Sequence, residues 1–333
     1  MKFNITHEKT TEDFTGNNKP LVTVVMPSYN SPDLYKSIDS VLVQTYENIE
    51  FILVDDCSED FNISEVEAYI QTHATSNLKR IIVEKNEHNL GTVKTMNIAY
   101  KRSSGKYLIT LACDDLFIDK RVVSDWINEF EKKGSLISTA KYKDYDYSLN
   151  MMVKTQPSRK NIKVIKSAST NELFDELIPI NFIMGCATAR SRECIEKYGF
   201  LDEKYRLLDD YPNYLALLRQ GVKIDFFDRY VVKHRLGGIS SSEKFMQGEY
   251  ENESDFILET EAFPYLYDDT KKREEYQIWK HNVTTKSEYV QLREKWEKNR
   301  FISDLIFIRF NFGRMIRNPK YVLYILRKRY FSR

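Results

Sequence analysis

The chain has 333 residues, more than one average domain, and 42% of them are apolar, enough to bury a sizeable core. Lys and Arg total 50 against 49 for Asp and Glu, a formal charge of +1, and that balance gives no sign of a nucleic-acid or strongly acidic partner. The four cysteines, Cys57, Cys113, Cys186 and Cys194, lack paired ligand spacing, which argues against a zinc module or a disulfide framework and for reduced thiols in a cytoplasmic protein.

Residues 1–19 are polar and carry Gly16-Asn17-Asn18, the composition of a loose arm. No signal-peptide core and no run of 18 uncharged apolar residues is present. Val22 to Met26 is a short apolar run stopped by Pro27, and Ile49 to Val54 is a second that ends in Asp55-Asp56; such continuous runs suit strands buried on both faces of a parallel sheet. Between them Leu34, Ile38, Val41 and Leu42 recur at helical spacing behind Ser31-Pro32, a cap and a first-turn proline. The alternation continues with a helix over 64–73, a strand over 80–83 and a helix over 92–100. Gly105 turns the chain into a strand over 107–111, and Asp119 opens a helix running to 132. This order predicts an α/β fold with a mostly parallel, doubly wound sheet, whose ligands sit beyond the carboxyl ends of the strands.

From 134 to 240 the pattern is less regular. A strand-like run covers Phe182 to Ala189, helices are expected around Ser191 to Tyr198 and from near Asp210, and strands at Val222 to Phe227 and Tyr230 to Val232. Past Ser242 the chain is charged and helical, without repeats. Phe301, Leu305, Ile308, Phe312 and Met315 form a helical apolar stripe in a segment, 301–333, that holds eight basic residues and one acid, Asp304. That composition fits a peripheral helix pair lying on an anionic membrane. The alternative is that the stripe packs on the catalytic domain or a second subunit of a homo-oligomer.

Polar residues collect where the sheet would place its ligand edge: Pro27-Ser28-Tyr29-Asn30 after the first strand, Asp55-Asp56 after the second, Cys113-Asp114-Asp115 after the fourth. They offer a ring to stack on, carboxylates to accept hydrogen bonds and acids for a hard cation. Each alone is weak, because acids after strands are commonly turn residues. Together, however, the motifs VVMPSYN at 24–30, SVLVQTYENIEFILVDDCS at 40–58, NLGTVKTMNIA at 89–99 and GKYLITLACDDLF at 105–117 resemble the nucleotide-binding half of a family 2 glycosyltransferase of the GT-A fold. GFLDEKYRLLDDYPNYLALLRQG at 199–221 and VVKHRLGGISSS at 231–242 resemble its acceptor half and closing segment. The likeness divides the chain into an arm at 1–19, a nucleotide-sugar half at 20–133, an acceptor half at 134–242 and a helical extension at 243–333.

The resemblance implies roles residue by residue. Tyr29, with Pro27 beside it, would lie against a uracil ring and Asp56 accept the uracil N3 proton, a pairing that favours uridine over cytidine, whose ring presents an acceptor there. Asp55 is its less specific neighbour, open to reading as a strand-end turn acid. Gly91 would let backbone approach the nucleotide or serve as an ordinary turn glycine, and Lys94 would face the phosphates or solvent. Asp114 and Asp115 match the last two acids of the metal motif, although Ala112 and Cys113 stand where acids are common, and His234 matches the third participant at the metal or diphosphate. Asp210 matches the general base, with Asp209 as positioning partner and one of the two as helix cap. The activity implied is metal-dependent, inverting transfer from a UDP-sugar to a glycan acceptor, lipid-linked and on the cytoplasmic face of the plasma membrane, with Mg²⁺ or Mn²⁺ as cofactor. Arg235 to Ser242 would fold over the donor as a lid or act as a linker. A sugar nucleotidyltransferase would need a glycine-rich basic loop after the first strand, which PSYNSPD is not; an inactive membrane-attached scaffold would have no need of Asp115, Asp210 and His234 together.

Overall fold

A computed structural model describes residues 19–178, 180–237, 253, 254, 256–262 and 265, and through Ala262 these belong to one compact unit. The arm before residue 19, the lid segment beyond Gly237 and the amphipathic tail lie outside the described residues. Nine strands, β1 (Val22–Ser28), β2 (Ile49–Asp55), β3 (Leu78–Lys85), β4 (Tyr107–Thr110), β5 (Leu116–Phe117), β6 (Ile137–Tyr145), β7 (Met152–Gln156), β8 (Thr188–Ser191) and β9 (Ile224–Arg235), form one sheet in the order β3-β2-β1-β4-β8-β6-β9-β5, with β7 on β6. β1 to β4 pair in parallel. Antiparallel pairs enter with β8, which bonds both β4 and β6 and so joins the two halves of the chain in one sheet.

The apolar runs behave as their composition demands. Val24, Met26, Phe51 and Leu53 pack with Ile38 and Val41 of α1 (Leu34–Leu42) and with Trp126 and Phe130 of α4 (Val122–Lys133). On the opposite face Val25, Ile52 and Val54 are equally buried, where α3 (Thr92–Arg102) crosses β1 and β2. Pro27 does not stop β1, which pairs on through Ser28. Its carbonyl accepts from the Cys113 amide at 3.2 Å, so its missing N–H points toward the same side, past the end of β4, where no ladder bond is lost.

Several expected boundaries move. α1 begins after Asp33, while Ser31 donates its hydroxyl to the Cys113 carbonyl at 2.7 Å in place of capping the helix. α2 (Ile63–His73) is capped by Asn62, and α4 starts at Val122 because Asp119 accepts the Arg121 amide in a turn before it. Of the run expected as a strand over Phe182 to Ala189 only Thr188 and Ala189 are strand, at the start of β8; Gly185–Ala187 is a single 3₁₀ turn whose first amide is committed to a side chain. The two strands expected at Val222 to Phe227 and Tyr230 to Val232 are one long β9, irregular in register near Lys141 of β6. β6, β7, α5 (Arg159–Ser167) and α6 (Thr170–Leu177) went unforeseen, although the Ser169–Glu172 capping box and the helical spacing of Leu173, Phe174 and Leu177 mark α6 in the sequence. α7 (Arg192–Tyr198) and α8 (Tyr211–Arg219) fall where expected.

Candidate active site

The carboxyl ends of β1, β2 and β4 are tied together by backbone. The Asp56 amide donates to Ser28 at 2.7 Å, and the Cys113 carbonyl also accepts from the Ser37 hydroxyl at 2.9 Å. Tyr29 is partly exposed at this edge. The next residue, Asn30, has φ of 46° and receives the Ser58 hydroxyl oxygen as acceptor for its amide at 2.7 Å. Asp55 and Asp56 are both buried but differently engaged. Both oxygens of Asp55 are taken by Ser58, through its amide at 2.7 Å and its hydroxyl at 2.6 Å, so this acid shapes its own turn. Asp56 reaches to the next loop: Oδ1 accepts from Leu90 N at 2.7 Å and Asn86 Nδ2 at 2.8 Å, and Oδ2 from Gly91 N at 2.8 Å. Oδ2 therefore retains one acceptor position.

Gly91 sits at φ 87°, and a Cβ there would meet Arg206 Cγ at 2.4 Å and its carbonyl oxygen at 2.6 Å. The close approach that requires glycine is thus made by the Arg206 backbone, which also accepts the Val93 amide at 3.1 Å. Glu253 in turn accepts the amides of Arg206, Leu207 and Leu208. This pins the run leading to Asp210 against the loop held by Asp56. Lys94 is exposed on α3, where its charge helps to hold the Glu203 carboxyl below the usual range, after Asn97 and Lys101.

Asp115, almost fully buried, is the centre of a second cluster. Its Oδ1 accepts the Arg235 amide at 3.0 Å and lies 3.0 Å from His234 Nδ1. One donor atom each from Asp115, Cys186 and His234 lie within 4.8 Å of one another. Burial opposes a charge on His234, but Asp115 and then Cys186 push the imidazole up to about 12; burial likewise pushes the Cys186 thiol up to about 11 against the pull of His234. The Tyr142 ring meets the imidazole edge-on at 5.9 Å. Asp114 is held above the ordinary carboxylate range by burial and Asp115, against Arg235, whose Nη2 is 3.4 Å from Asp114 Oδ2. The Arg235 guanidinium is only 5% exposed, stacks on Tyr147 at 4.6 Å, and keeps Nε and Nη1 buried without a hydrogen-bond partner. Sequence reading placed Arg235 at the start of a lid; the structure makes it a buried cation at the end of β9, a position its adjacency to His234 could have suggested.

Asp210 caps α8, accepting the Tyr211 amide at 2.6 Å on Oδ1 and the Gly185 amide at 2.9 Å on Oδ2. Burial raises its pKa against those donors. Burial and the Asp210 charge push Asp209 up to about 7, against the pull of Arg190, which is buried, stacked over Tyr100 at 5.3 Å and bonded to Asn213. The two carboxyls titrate as a pair. The short turn Gly185–Ala187 therefore touches both clusters: its first residue binds Asp210 and its second contributes Cys186 beside Asp115 and His234. Cys186 and Tyr142 carried no local sequence signal.

Comparison with known proteins identifies the family and the fold. Residues 23–199 match the family model described as glycosyl transferase family 2. An uncharacterized glycosyltransferase of Methanocaldococcus jannaschii is 29% identical over 222 residues, 66% of this chain and 72% of that one. The putative teichuronic acid biosynthesis glycosyltransferase TuaG of Bacillus subtilis is also 29% identical over 222 residues, 66% of this chain and 81% of TuaG. Among solved structures, the mannosyltransferase PcManGT from Pyrobaculum calidifontis in complex with GDP-Man and Mn²⁺ matches with a TM-score of 0.58 at 16% identity, over 92% of this chain and 83% of that one. S. aureus TarS 1-349 in complex with UDP-GlcNAc matches with a TM-score of 0.54 at 18% identity, over 79% and 71%. At these identities the two structures establish the fold, which is GT-A.

Proposed function

The chain belongs to glycosyl transferase family 2, and from that premise we propose that it moves a sugar from a UDP-sugar to a hydroxyl of a glycan acceptor in one inverting displacement. The observation that carries this reading is the turn Gly185–Ala187, which sets the buried carboxylate of Asp210 beside the Asp115, Cys186 and His234 cluster. A base on one side and a diphosphate site on the other is the arrangement that single displacement needs.

In this reading residues 20–133 bind the donor, 134–242 the acceptor, and 243–333 form an extension. Tyr29, next to Pro27, stacks on uracil, and Asp56 accepts its N3 proton at the free position of Oδ2. Asp55 acts through Ser58 on the loop behind the base, and Lys94 stands at the rim. Nη1 of Arg235, buried without a hydrogen-bond partner, is suited to a phosphate oxygen, while Nε lies 3.6 Å from Asp33 Oδ2. The carboxylate and imidazole donors of Asp115 and His234, with Asp114 alongside, fit a divalent cation such as Mn²⁺ or Mg²⁺. When bound, that cation neutralises charge developing on the leaving diphosphate, so no acid catalyst is needed.

Asp210 takes the acceptor hydroxyl proton as that oxygen bonds to the anomeric carbon and the bond to the diphosphate breaks. Its orientation is set by the Tyr211 and Gly185 amides. Asp209, held by Arg190, keeps a second negative charge close and raises the basicity of the pair. The transition state resembles an oxocarbenium ion, with one base in place of an acid and base pair.

The likeness to TuaG, named for teichuronic acid biosynthesis, supports an acceptor in polysaccharide synthesis, and we take that acceptor to be lipid-linked at the inner face of the plasma membrane. Peripheral attachment through the basic segment 301–333 fits that acceptor. Among the described residues no helix is long and apolar enough to cross a membrane. The direct test of donor class is slow hydrolysis of a panel of nucleotide sugars with Mn²⁺: UDP-sugars should be turned over, and preference for GDP-sugars would overturn the uridine assignment.

A further inference from the structure

We infer that Cys186 is a metal ligand, so that Asp115, Cys186 and His234 form a three-donor site biased toward Zn²⁺ or Co²⁺ and away from Mg²⁺. The inference rests on the divalent site proposed above and changes what that site selects. The three donor atoms lie within 4.8 Å of one another. Around a tetrahedral ion with bonds of about 2.0–2.3 Å, donors stand roughly 3.3–3.8 Å apart. Side-chain adjustments of an ångström or so would close the site without moving the backbone.

The backbone is also well placed to hold it. Asp115 follows β4, Cys186 lies on the turn entering β8, His234 lies near the end of β9, and the ladders β4–β8, β8–β6 and β6–β9 connect all three. Donors fixed to one sheet keep their separations. Surrounding groups orient them: the Arg235 amide holds Asp115 Oδ1 at 3.0 Å, and Tyr142 packs edge-on against the imidazole. Of the four cysteines, Cys186 is the one found in such a cluster with Asp and His among the described residues.

The chemistry follows from the donor set. A site of carboxylate and carbonyl oxygens suits Mg²⁺, whereas a thiolate with an imidazole shifts preference toward borderline-soft first-row ions. One carboxylate and one thiolate together also neutralise a divalent charge, leaving the open positions for substrate oxygens and the approach of Arg235 electrostatically tolerable.

The test is titration of the full-length protein with Co²⁺. Wild type should develop the near-ultraviolet thiolate-to-cobalt charge-transfer band, saturating at one equivalent. Cys186→Ser should lose that band, and its Zn²⁺ affinity, from competition with a chelator, should fall about 100-fold or more, since changes one shell further out already cost 10–100-fold. Cys57→Ser should keep both, and circular dichroism checks that each variant is folded. Cobalt that binds wild type, seen by its visible spectrum, without the charge-transfer band overturns the thiol as ligand and leaves the divalent reading standing. Cobalt that does not bind wild type at all removes both.

Discussion

His234 Nδ1 lies 3.0 Å from Asp115 Oδ1, joining residues 119 positions apart in the chain. Asp115 also accepts the amide of Arg235, the next residue. The loop after β4 is thereby locked to the end of β9, where donor phosphates would lie. Replacing Asp115 with Ala should eliminate metal-dependent binding of UDP. Isothermal titration of UDP with and without Mn²⁺ measures this, and a normal metal response in the variant would contradict the assigned role.

Asp210 makes a different demand. General bases typically contribute about 10²–10⁴-fold to rate, so Asp210→Asn should reduce sugar transfer by that order while UDP affinity is kept. Asn preserves an oxygen for one of the two amide bonds, which limits structural damage. UDP release assays and UDP binding, measured on the same preparation, separate the two effects. Unchanged turnover would remove Asp210 from the mechanism.

The acidic pair predicts a pH dependence. Asp209 titrates at about 7 in the folded chain, above the unfolded value of about 3.9. A raised folded pKa means that the fold retains a proton the unfolded chain has released; this contribution to stability is complete below about pH 4 and is lost as pH rises through about 7. Asp209→Asn cannot ionise, so its melting temperature relative to wild type should rise between pH 5 and pH 8. Activity runs the other way, because the base must be ionised: the acid limb of kcat/KM should lie above the ordinary carboxylate range and move to lower pH in Asp209→Asn. A limb that stays in place would show that the two carboxyls do not titrate together.

Truncation after Arg300 should release the protein from anionic liposomes, since it removes eight basic residues and the apolar stripe from Phe301 to Met315. Co-sedimentation with phosphatidylserine vesicles reads the outcome. Full-length protein that never sediments with them would end the membrane reading of the tail.

What the sequence by itself determined is the set of features written at short range. The runs Val22 to Met26 and Ile49 to Val54 are apolar apart from Thr23 and Glu50, which pair with each other, so burial on both faces suits them, and β1 and β2 occupy the middle of the parallel half. Helical spacing located α1, and acids beyond strand ends pointed to a candidate ligand edge. The tertiary structure decided which of those acids face one another. Asp55 and Asp56 are neighbours in sequence, yet one closes on Ser58 while the other bridges to Gly91. Cys186 lay inside an apolar run that reads as strand, and Arg235 beside a stretch rich in glycine and serine. Their environments come from β8 and β9 inserting into a sheet begun by residues more than a hundred positions earlier. A local period carries no information about such pairings, because donor distance and burial are set by which strands the whole chain can bring together.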